Sequence, residues 1–507
     1  MSENQFTASS RYSTLEQART APLKRARENS RLTLPWVLPP EGAKEDSELY
    51  DPFQNVGSRG TNHLASKMTL AVMPPNEPFF RHDADDFAAE EAEGEQPGTL
   101  LDAQQKLAKY DRTVMKRIEA SGDRPKFELT MKHLLITGNV LLDINEPQSR
   151  VIGLDSYVVQ RDPRGKIVEL VVKEEVHPNA LPEAVRLQLQ NSENGDKSKP
   201  AGDKELLELY THSQLVGGFY EGFQEVNGEK VAGSEFKKKP EDFGYIALRF
   251  AVIDGQSYGR SFVETLYGDL RSLEVLTQAI TDGASMASKV LFLVRANGTT
   301  RVRDLQDAGN GDFVTGEAAD ITTLQLNKSA DMQYAASLAD TLREGLKEQF
   351  LLRSSVTRDA ERVTAEEIRY VALEIEDALS GIYSLLTHEL QAPYVRLKIR
   401  QMKGLPTLPK ELVNLTITTG LEALRRGHEM QKLRAFIGGL AEAYGPDAVK
   451  EFIPISTYAK RLGDALGLDL MGLIVSEQEA KQKRVEEQVT QAGIQSAPQI
   501  IQEGLQQ

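Results

Sequence analysis

The 507-residue chain contains no cysteine. Without thiols it can form neither disulfides nor thiolate metal sites, and it has no cysteine nucleophile. It also has no run of eighteen apolar residues, and the N-terminal MSENQFTASSRY lacks the apolar stretch of a signal peptide. We therefore expect a soluble protein that is made in a cytoplasm and has no membrane partner.

Cofactor and metal motifs are also scarce. The sequence has no GxxxxGK[ST] phosphate loop and no HExxH metal motif. The nearest approach to a metal cluster is His82 with Asp83 and Asp85, and a solvated acidic loop explains these three residues better because the ligand set is so short. We expect no cofactor and no metal.

Negative charge exceeds positive charge, with 75 acidic residues, 60 basic residues and a formal net charge of −15. A protein that grips nucleic acid presents a basic face, so this balance argues against an ordinary nucleic-acid-binding protein. It is compatible with a mostly acidic wall past which DNA slides. A charge that serves only solubility is the commoner explanation, and composition does not separate the two.

The first half of the chain predicts one α+β unit over residues 1–255. Residues 10–33 are helical and basic in pattern, 99–145 are helical and then apolar, and 151–253 alternate like strands between turn signals. In the first of these segments we expect a solvated helix face rather than a contact with DNA or an acidic neighbour, for Arg19, Lys24, Arg25, Arg27 and Arg31.

Two amphipathic helices flank a short insert in the second half. The segment DGQSYGRSFVETLYGDLRSLEVLTQAITDGASMASK at 254–289 predicts a glycine turn and a helix with one apolar side, formed by Phe262, Leu266, Leu270, Leu273, Leu276 and Ile280. A second helix over Asp331 to Leu352 has the apolar side Ala335, Leu338, Leu342, Leu346 and Phe350. Between them VLFLV, DFVT and ITTLQL predict strands, with a loop that includes a short helical turn.

A polar, arginine-bearing loop at 353–363 leads into a long amphipathic helix. Thr364 and Glu367 fit a capping box at its start, and a helix to Lys403 would be roughly 60 Å long at 1.5 Å per residue. Pro393 is expected to kink it, because its ring and missing N–H disturb the bond to Glu389. From spacing alone, a core helix of some large helical domain is an equally good interpretation.

Together with DPFQNVGSRGTNHLASKMTLAVMPP at 51–75 and SYVVQRDPRGKIVELV at 156–171, the strings SYGRS…GDLRSLE and ERVTAEEIRYVA resemble the portal proteins of short-tailed bacteriophages of the autographivirus type. These proteins are the head-to-tail connectors of the virion. The resemblance extends over roughly residues 10–475. It implies a mainly helical α+β portal fold with these parts: wing 1–255, first stem helix 256–289, clip 290–330, second stem helix 331–352, tunnel loop 353–363, long kinked wing helix 364–404, crown 405–475 and a polar, partly disordered tail 476–507.

The same resemblance implies a ring of twelve copies at one capsid vertex, through which a terminase packages double-stranded DNA that later leaves by the tail. Its partners would be the major capsid protein, the terminase large subunit, a tail adaptor, internal core proteins and passing DNA. The candidate residues are Arg353, Arg358 and Arg362 in the tunnel loop and Arg301, Arg303, Asp304 and Asp307 in the clip. For the tunnel-loop arginines, weak DNA contact and salt bridges between subunits are both open. For the clip residues, partner binding and simple solubility are both open.

A second hypothesis is a DNA-processing or hydrolytic enzyme with an unrecognised carboxylate site. Nuclease or ATPase activity of pure protein supplied with metal would favour it, whereas a stable ring without activity would favour the connector. The missing motifs and the resemblance both favour the connector, so we predict that the protein is not an enzyme.

Overall fold

The computed structural model describes residues 7–44, 46–75, 78–84, 99–146, 148–180, 206–288, 291–324, 329–352, 381–406, 413–418, 435–443 and 445. Its helices are α1 (Ala8–Leu32), α2 (Val56–Val72), α3 (Thr99–Ala120), α4 (Arg124–Thr137), α5 (Phe262–Ala287), α6 (Val302–Asp307), α7 (Ser329–Gln349), α8 (Ile382–Leu386) and α9 (Ala392–Gln401). Residues 435–443 are also helical. Within these ranges, no helix combines the length and the apolar character needed to cross a membrane.

The strands are β1 (Phe80–Ala84), β2 (Asn139–Asp143), β3 (Arg150–Ile152), β4 (Tyr157–Arg161), β5 (Ile167–Val176), β6 (Leu207–Val216), β7 (Phe219–Val226), β8 (Glu229–Lys230), β9 (Phe236–Lys238), β10 (Tyr245–Arg249), β11 (Leu291–Val294), β12 (Ile321–Leu324) and β13 (Val413–Ile417). The largest sheet has the order β4-β5-β6-β7-β8, with β9 also paired to β7. A three-stranded sheet has the order β10-β2-β3. Helices and strands thus both occur throughout, and the predicted α+β class is confirmed.

The chain divides into two compact units, residues 1–77 with 114–405 and residues 78–113 with 406–507. In the second unit β1 pairs antiparallel with β13, with Phe80 opposite Ile417. The α+β unit predicted for 1–255 is therefore interrupted at 78–113. Sequence patterns could not show this, because a strand pattern does not say which distant strand it pairs with.

Helix α1 lies across the β4 edge of the largest sheet and contributes to a core on each face. Its Ala8 and Tyr12 pack with Val158 and Val171, whereas Ala26 belongs to the core that contains Tyr157. Alternating residues of β4 point to opposite faces, so both of its faces are covered. This packing explains why the helix carries apolar residues among its many cations.

Arg19, in the middle of α1, is buried rather than solvated. Its guanidinium donates to the carbonyl oxygens of Leu154 (3.0 Å), Asp155 (2.7 Å) and Tyr157 (2.9 Å). Those carbonyls lie at or just before the start of β4, which among the described strands pairs on one side only, with β5. The expectation of a solvated face is wrong for Arg19, since the edge of the sheet needs a donor there.

A buried carboxylate on the sheet holds the start of α1. Glu169 of β5 accepts from Arg11 Nη2 at 2.7 Å and lies 2.9 Å from His212 Nε2. Burial alone would raise the pKa of Glu169, but the hydrogen bonds from His212 and Arg11 outweigh it and lower the pKa to about 2. The folded state therefore strongly favours the ionised form of Glu169.

The helix predicted over 364–404 is described only from residue 381, and it is not continuous there. Gly381 has a φ of +85°, a left-handed conformation that ends any preceding α-helix, and α8 begins at Ile382. A π turn, Thr387–Gln391, joins α8 to α9, and the N–H of Ala392 donates to the carbonyl of Thr387. Pro393 thus lies in the first turn of α9, where its missing N–H is tolerated. The predicted disturbance at Pro393 takes the form of this π turn.

A second buried charge pair fixes α9. Asp123, at the start of α4, lies 2.8 Å from Lys398 Nζ and accepts from Tyr394 Oη at 2.7 Å. Burial raises the pKa of Asp123, yet the hydrogen bonds from Lys398, Tyr394 and Ser149 outweigh it and hold the pKa below its usual range. The segment after the π turn is therefore held in place by an ion pair with almost no solvent access.

Candidate functional site: the paired helices and the insert between them

Helices α5 and α7 form an antiparallel pair. The rings of Phe262, at the start of α5, and Phe350, just past the end of α7, lie edge to face with centroids 5.7 Å apart. At the other end, Gly283 of α5 faces Met332, whose terminal methyl would lie 3.3 Å from an added Cβ. The start of α5 is capped by Ser261, whose hydroxyl accepts from Glu264 N at 3.0 Å. Both predicted helices are confirmed, and the insert joins their far ends.

Only one half of this helix pair is buried. Leu266, Leu270 and Leu273 of α5 have at most 8% of their surface exposed, whereas Val275 and Met286 further along are 59% and 58% exposed. In α7 the order is reversed: Leu346 is buried and Tyr334, near the start, is 75% exposed. The end of the pair near the insert is therefore apolar and uncovered in a single copy.

Helix α2 packs against the buried half of the helix pair. An added Cβ at Gly60 would lie 2.3 Å from Phe350 Cγ, and one at Gly57 would lie 2.5 Å from the carbonyl oxygen of Leu32 and 3.3 Å from Leu270 Cδ2. Because residues three or four apart share a helix face, these two glycines present one smooth face to both long helices. Such close contact explains small residues at both positions, where side chains would separate the helices.

Helix α2 also contacts the residues just past the end of α7. The N–H of Leu351 donates to Glu348 O at 2.9 Å and that of Leu352 to Lys347 O at 2.8 Å, which is the Schellman pattern of a helix end. Leu351 has a φ of +55°. Glycine normally occupies this position, and a residue with a Cβ costs about 1–2 kcal/mol there. The carbonyl of Leu351 lies 3.1 Å from His63 Nε2 and 3.3 Å from Lys67 Nζ.

A buried carboxylate attaches the loop before α2 to α5. Glu274, 5% exposed, accepts from Tyr50 Oη (2.6 Å), Phe53 N (2.9 Å) and Gln54 N (3.1 Å). The hydrogen bond to Glu274 is the largest of the effects that raise the pKa of Tyr50. Three donors for one carboxylate offset the cost of burying it.

The insert contains a two-stranded antiparallel sheet, β11 with β12, in which Phe292 lies opposite Thr323. Asp320, just before β12, accepts from Thr299 N (2.8 Å) and Thr300 N (3.2 Å), which ties the intervening loop to the sheet. Burial raises the pKa of Asp320, but these backbone and hydroxyl hydrogen bonds outweigh it and lower the pKa. The predicted strands VLFLV and ITTLQL are confirmed in part of their length.

One predicted strand in the insert is wrong. Residues 312–317, which include DFVT, adopt no regular structure, and the side chain of Phe313 is completely exposed. A four-residue strand pattern needs a partner strand to form hydrogen bonds, and none of the described strands pairs with 312–315. The predicted short helical turn is present as α6.

The structure brings the four clip candidates together on one short element. Arg301 precedes α6 as its N-cap residue, and Arg303, Asp304 and Asp307 lie on it. All four are exposed, and within the described part of the chain none of them takes part in a salt bridge. Their role in binding a partner stays a prediction.

The tunnel-loop candidates Arg353, Arg358 and Arg362 lie outside the described residues, as does the capping box at Thr364 and Glu367. The described chain reaches this segment at Leu352, directly after the Schellman turn. The position of the predicted loop relative to a channel is therefore still a prediction.

His82 has a different partner from those suggested by its neighbours in sequence. Its Nδ1 is 2.5 Å from Asp111 Oδ1, and its backbone N–H donates to Asp111 Oδ2 at 2.8 Å. Asp85 lies outside the described residues. Among the residues that are described, no three histidine or acidic side chains form a group that could hold a metal ion.

Residues 255–259, GQSYG, match the GxSxG pattern of a serine nucleophile elbow. Ser257 instead supports a turn. Its hydroxyl oxygen accepts from Arg161 N at 3.2 Å and its carbonyl accepts from Arg161 Nε at 3.2 Å. This geometry assigns Ser257 a structural role in joining β4 to the segment before α5.

Similarity to known proteins extends over nearly the whole chain. The family model of the bacteriophage head to tail connecting protein matches residues 5–473. A portal protein of Escherichia phage T7 is 37% identical over 98% of this chain and 93% of its own length. The chain belongs to the bacteriophage head-to-tail connecting protein family. A portal protein of Enterobacteria phage T3 is also 37% identical, over 97% of this chain and 92% of its own length.

This head-to-tail connecting protein is a phage portal protein, and the connector hypothesis is favoured over the enzyme alternative. The resemblance to portals of the autographivirus type is confirmed. Among solved structures, a chain from the neck of an empty GTA particle matches with a TM-score of 0.37 and 13% identity, covering 82% of this chain and 90% of that one.

Proposed function

We propose that the portal protein assembles as a closed ring of about twelve copies at one capsid vertex, with copies meeting head to tail around an axis. DNA enters through this ring during packaging and leaves through it during ejection. The ring forms in the cytoplasm of the host bacterium and remains in the virion. The observation that carries the proposal is the uncovered apolar surface of the helix pair and insert.

That surface is concentrated in one region. Among the described residues, fifteen large hydrophobic side chains are exposed, and eight of them lie between residues 275 and 338: Val275, Met286, Phe292, Leu293, Val302, Phe313, Tyr334 and Leu338. Large contiguous apolar surfaces on soluble proteins usually mark an interaction site. Because the two-stranded sheet of the insert is too small to bury a core alone, neighbouring copies would complete it.

Charge supports a loose passage for DNA. Helix α5 has four acidic residues and one basic residue, and α7 has four acidic and two basic. Both basic residues of α7 are already paired along the helix, Arg343 with Asp340 and Lys347 with Glu344. A helix pair of this sign does not bind phosphate tightly, so it would let a duplex slide.

We assign the partner contacts to the two ends of the long helices. The exposed charges on α6, beginning with Arg301 and Arg303, would form a repeated rim that binds the terminase large subunit and later the tail adaptor. Polar contacts suit partners of different symmetry, because they tolerate imperfect registration. The major capsid protein and internal core proteins would bind elsewhere on the ring.

The tunnel-loop arginines would touch passing DNA weakly. Arg358 and Arg362 are interleaved with Asp359 and Glu361, so each cation is partly neutralised within a Debye length of about 8 Å. Changing both arginines to alanine should leave rings intact and reduce DNA packaging or retention. Normal packaging by assembled particles would instead favour salt bridges between subunits.

The ring is tested by native mass measurement and negative-stain top views of purified protein. Phe292→Asp and Tyr334→Asp should each prevent or weaken assembly, because a carboxylate would be buried in the proposed interface. Val216→Asp is the matched control, since Val216 is 46% exposed at the end of β6 and belongs to neither long helix nor to the insert. A stable monomer of the unmodified protein at micromolar concentration would contradict the proposal.

A further inference from the structure

The end of helix α7 has a backbone conformation that sequence motifs do not explain. Leu351 occupies the left-handed position of a Schellman turn, with a φ of +55°, and Leu352 follows it. Among the described residues that are not glycine, only Asn227 shares a positive φ, and asparagine adopts this conformation readily. A strained residue persists only where its surroundings hold it.

The surroundings of Leu351 supply such a hold. His63 and Lys67 are one helical turn apart on α2, and both approach the carbonyl oxygen of Leu351. Lys67 is 4% exposed, so a buried cation faces the carbonyl end of α7. Cations are favourable at the carbonyl end of a helix because of its partial negative charge. On the other side, Phe350 packs closely against Gly60.

We propose that His63 and Lys67 form a latch that holds Leu351 in its left-handed conformation and so sets where the second stem helix ends. With the latch engaged, the helix stops at Gln349. With the latch broken, Leu351 returns to the right-handed region and the turn at 350–352 is rebuilt. The device rests on the proposed function only for its purpose, which is to set the direction in which the chain leaves the stem for the tunnel loop.

The latch can be tested through the backbone preference of residue 351. Glycine and asparagine accept a positive φ, whereas valine opposes it strongly. If Leu351 is held left-handed, Leu351→Gly should melt about 1–3 °C above Leu351→Val, because about 1–2 kcal/mol of backbone strain is divided by the unfolding entropy of a unit of about 370 residues. Leu351→Asn should lie nearer to Leu351→Gly, which separates backbone strain from lost side-chain packing.

The same series is then measured with Lys67→Met, and with His63→Ala as a milder variant. Once the latch is broken the turn relaxes, so the difference in melting temperature between Leu351→Gly and Leu351→Val should fall to less than half. Lys398→Met is the matched control, because it also removes a buried cation but one that pairs with Asp123 and not with Leu351. In that background the glycine–valine difference should be unchanged.

An equal glycine–valine difference in the Lys67→Met, His63→Ala and otherwise unmodified proteins would overturn the latch, since the left-handed turn would then not depend on it. A difference lost in the Lys398→Met background as well would also overturn it, by showing general loosening. The measurement uses the purified full chain and needs no DNA. Its outcome is therefore independent of the mass measurement that tests the ring.

Discussion

Replacing Gly60 by alanine should destabilise the portal protein, although alanine is the better helix former. The new Cβ would lie 2.3 Å from Phe350 Cγ, 2.6 Å from its Cδ2 and 2.8 Å from its Cβ. Phe350 has no exposed surface and touches Phe262, so its ring cannot simply move outward. Overpacking of this kind costs about 1–3 kcal/mol. The helix preference of alanine returns up to about 1 kcal/mol.

The assay is urea denaturation of the purified chain, with Gly268→Ala as control. Gly268 also lies in a long helix, but an added Cβ there meets nothing within 4 Å. The control should gain roughly 0.5–1 kcal/mol of unfolding free energy, so the two variants should differ by about 1–3 kcal/mol. Adding Phe350→Leu to Gly60→Ala should recover part of the loss. If both alanine variants are equally stabilised, α2 does not pack tightly against Phe350 and the reasoning fails.

Three further predictions use other parts of the structure. The pKa of Glu169 in the folded state is about 2, below its ordinary 4.5, so its ionised form stabilises the folded state by about 3 kcal/mol above pH 4.5. This stabilisation is lost as the pH falls toward 2. Acid titration of the unfolding free energy should show the loss, and a Glu169→Gln variant should not. Lys398→Met should destabilise by about 3–5 kcal/mol in denaturation curves by leaving Asp123 buried without its cation, and Asp123→Asn added to it should restore stability. Charge reversal at Arg301 and Arg303 should keep the ring but weaken adaptor binding in a pull-down; lost assembly with unchanged binding would make the insert an intersubunit clamp.

Sequence patterns predicted the helix pair well. The apolar spacing from Phe262 onward corresponds to helix α5, although the helix begins at Phe262 rather than at residue 256 and Ser261 caps it. The strands at β11 and β12 also follow from short apolar runs between turn signals. These elements are local, since a helix stripe and a turn residue act within a few positions of one another.

Side-chain contacts between residues distant in sequence were not predictable in the same way. Arg19 appeared to belong to a solvated basic face, but it meets the carbonyls of an edge strand more than a hundred residues later. His82 appeared to belong with its acidic neighbours, but it pairs with Asp111. Each depends on which distant backbone or carboxylate the fold brings near, and no spacing rule carries that information.

By itself the sequence determined that this protein has no thiol chemistry, that two amphipathic helices flank a small insert, and that its family is that of the phage connectors. Only the tertiary structure decided which halves of those helices are buried, and that α2 presents two glycines, a histidine and a lysine to their ends. The physical reason is that helix formation depends on neighbours in sequence, whereas burial, strain at Leu351 and the choice of counterion depend on atoms that approach from distant segments.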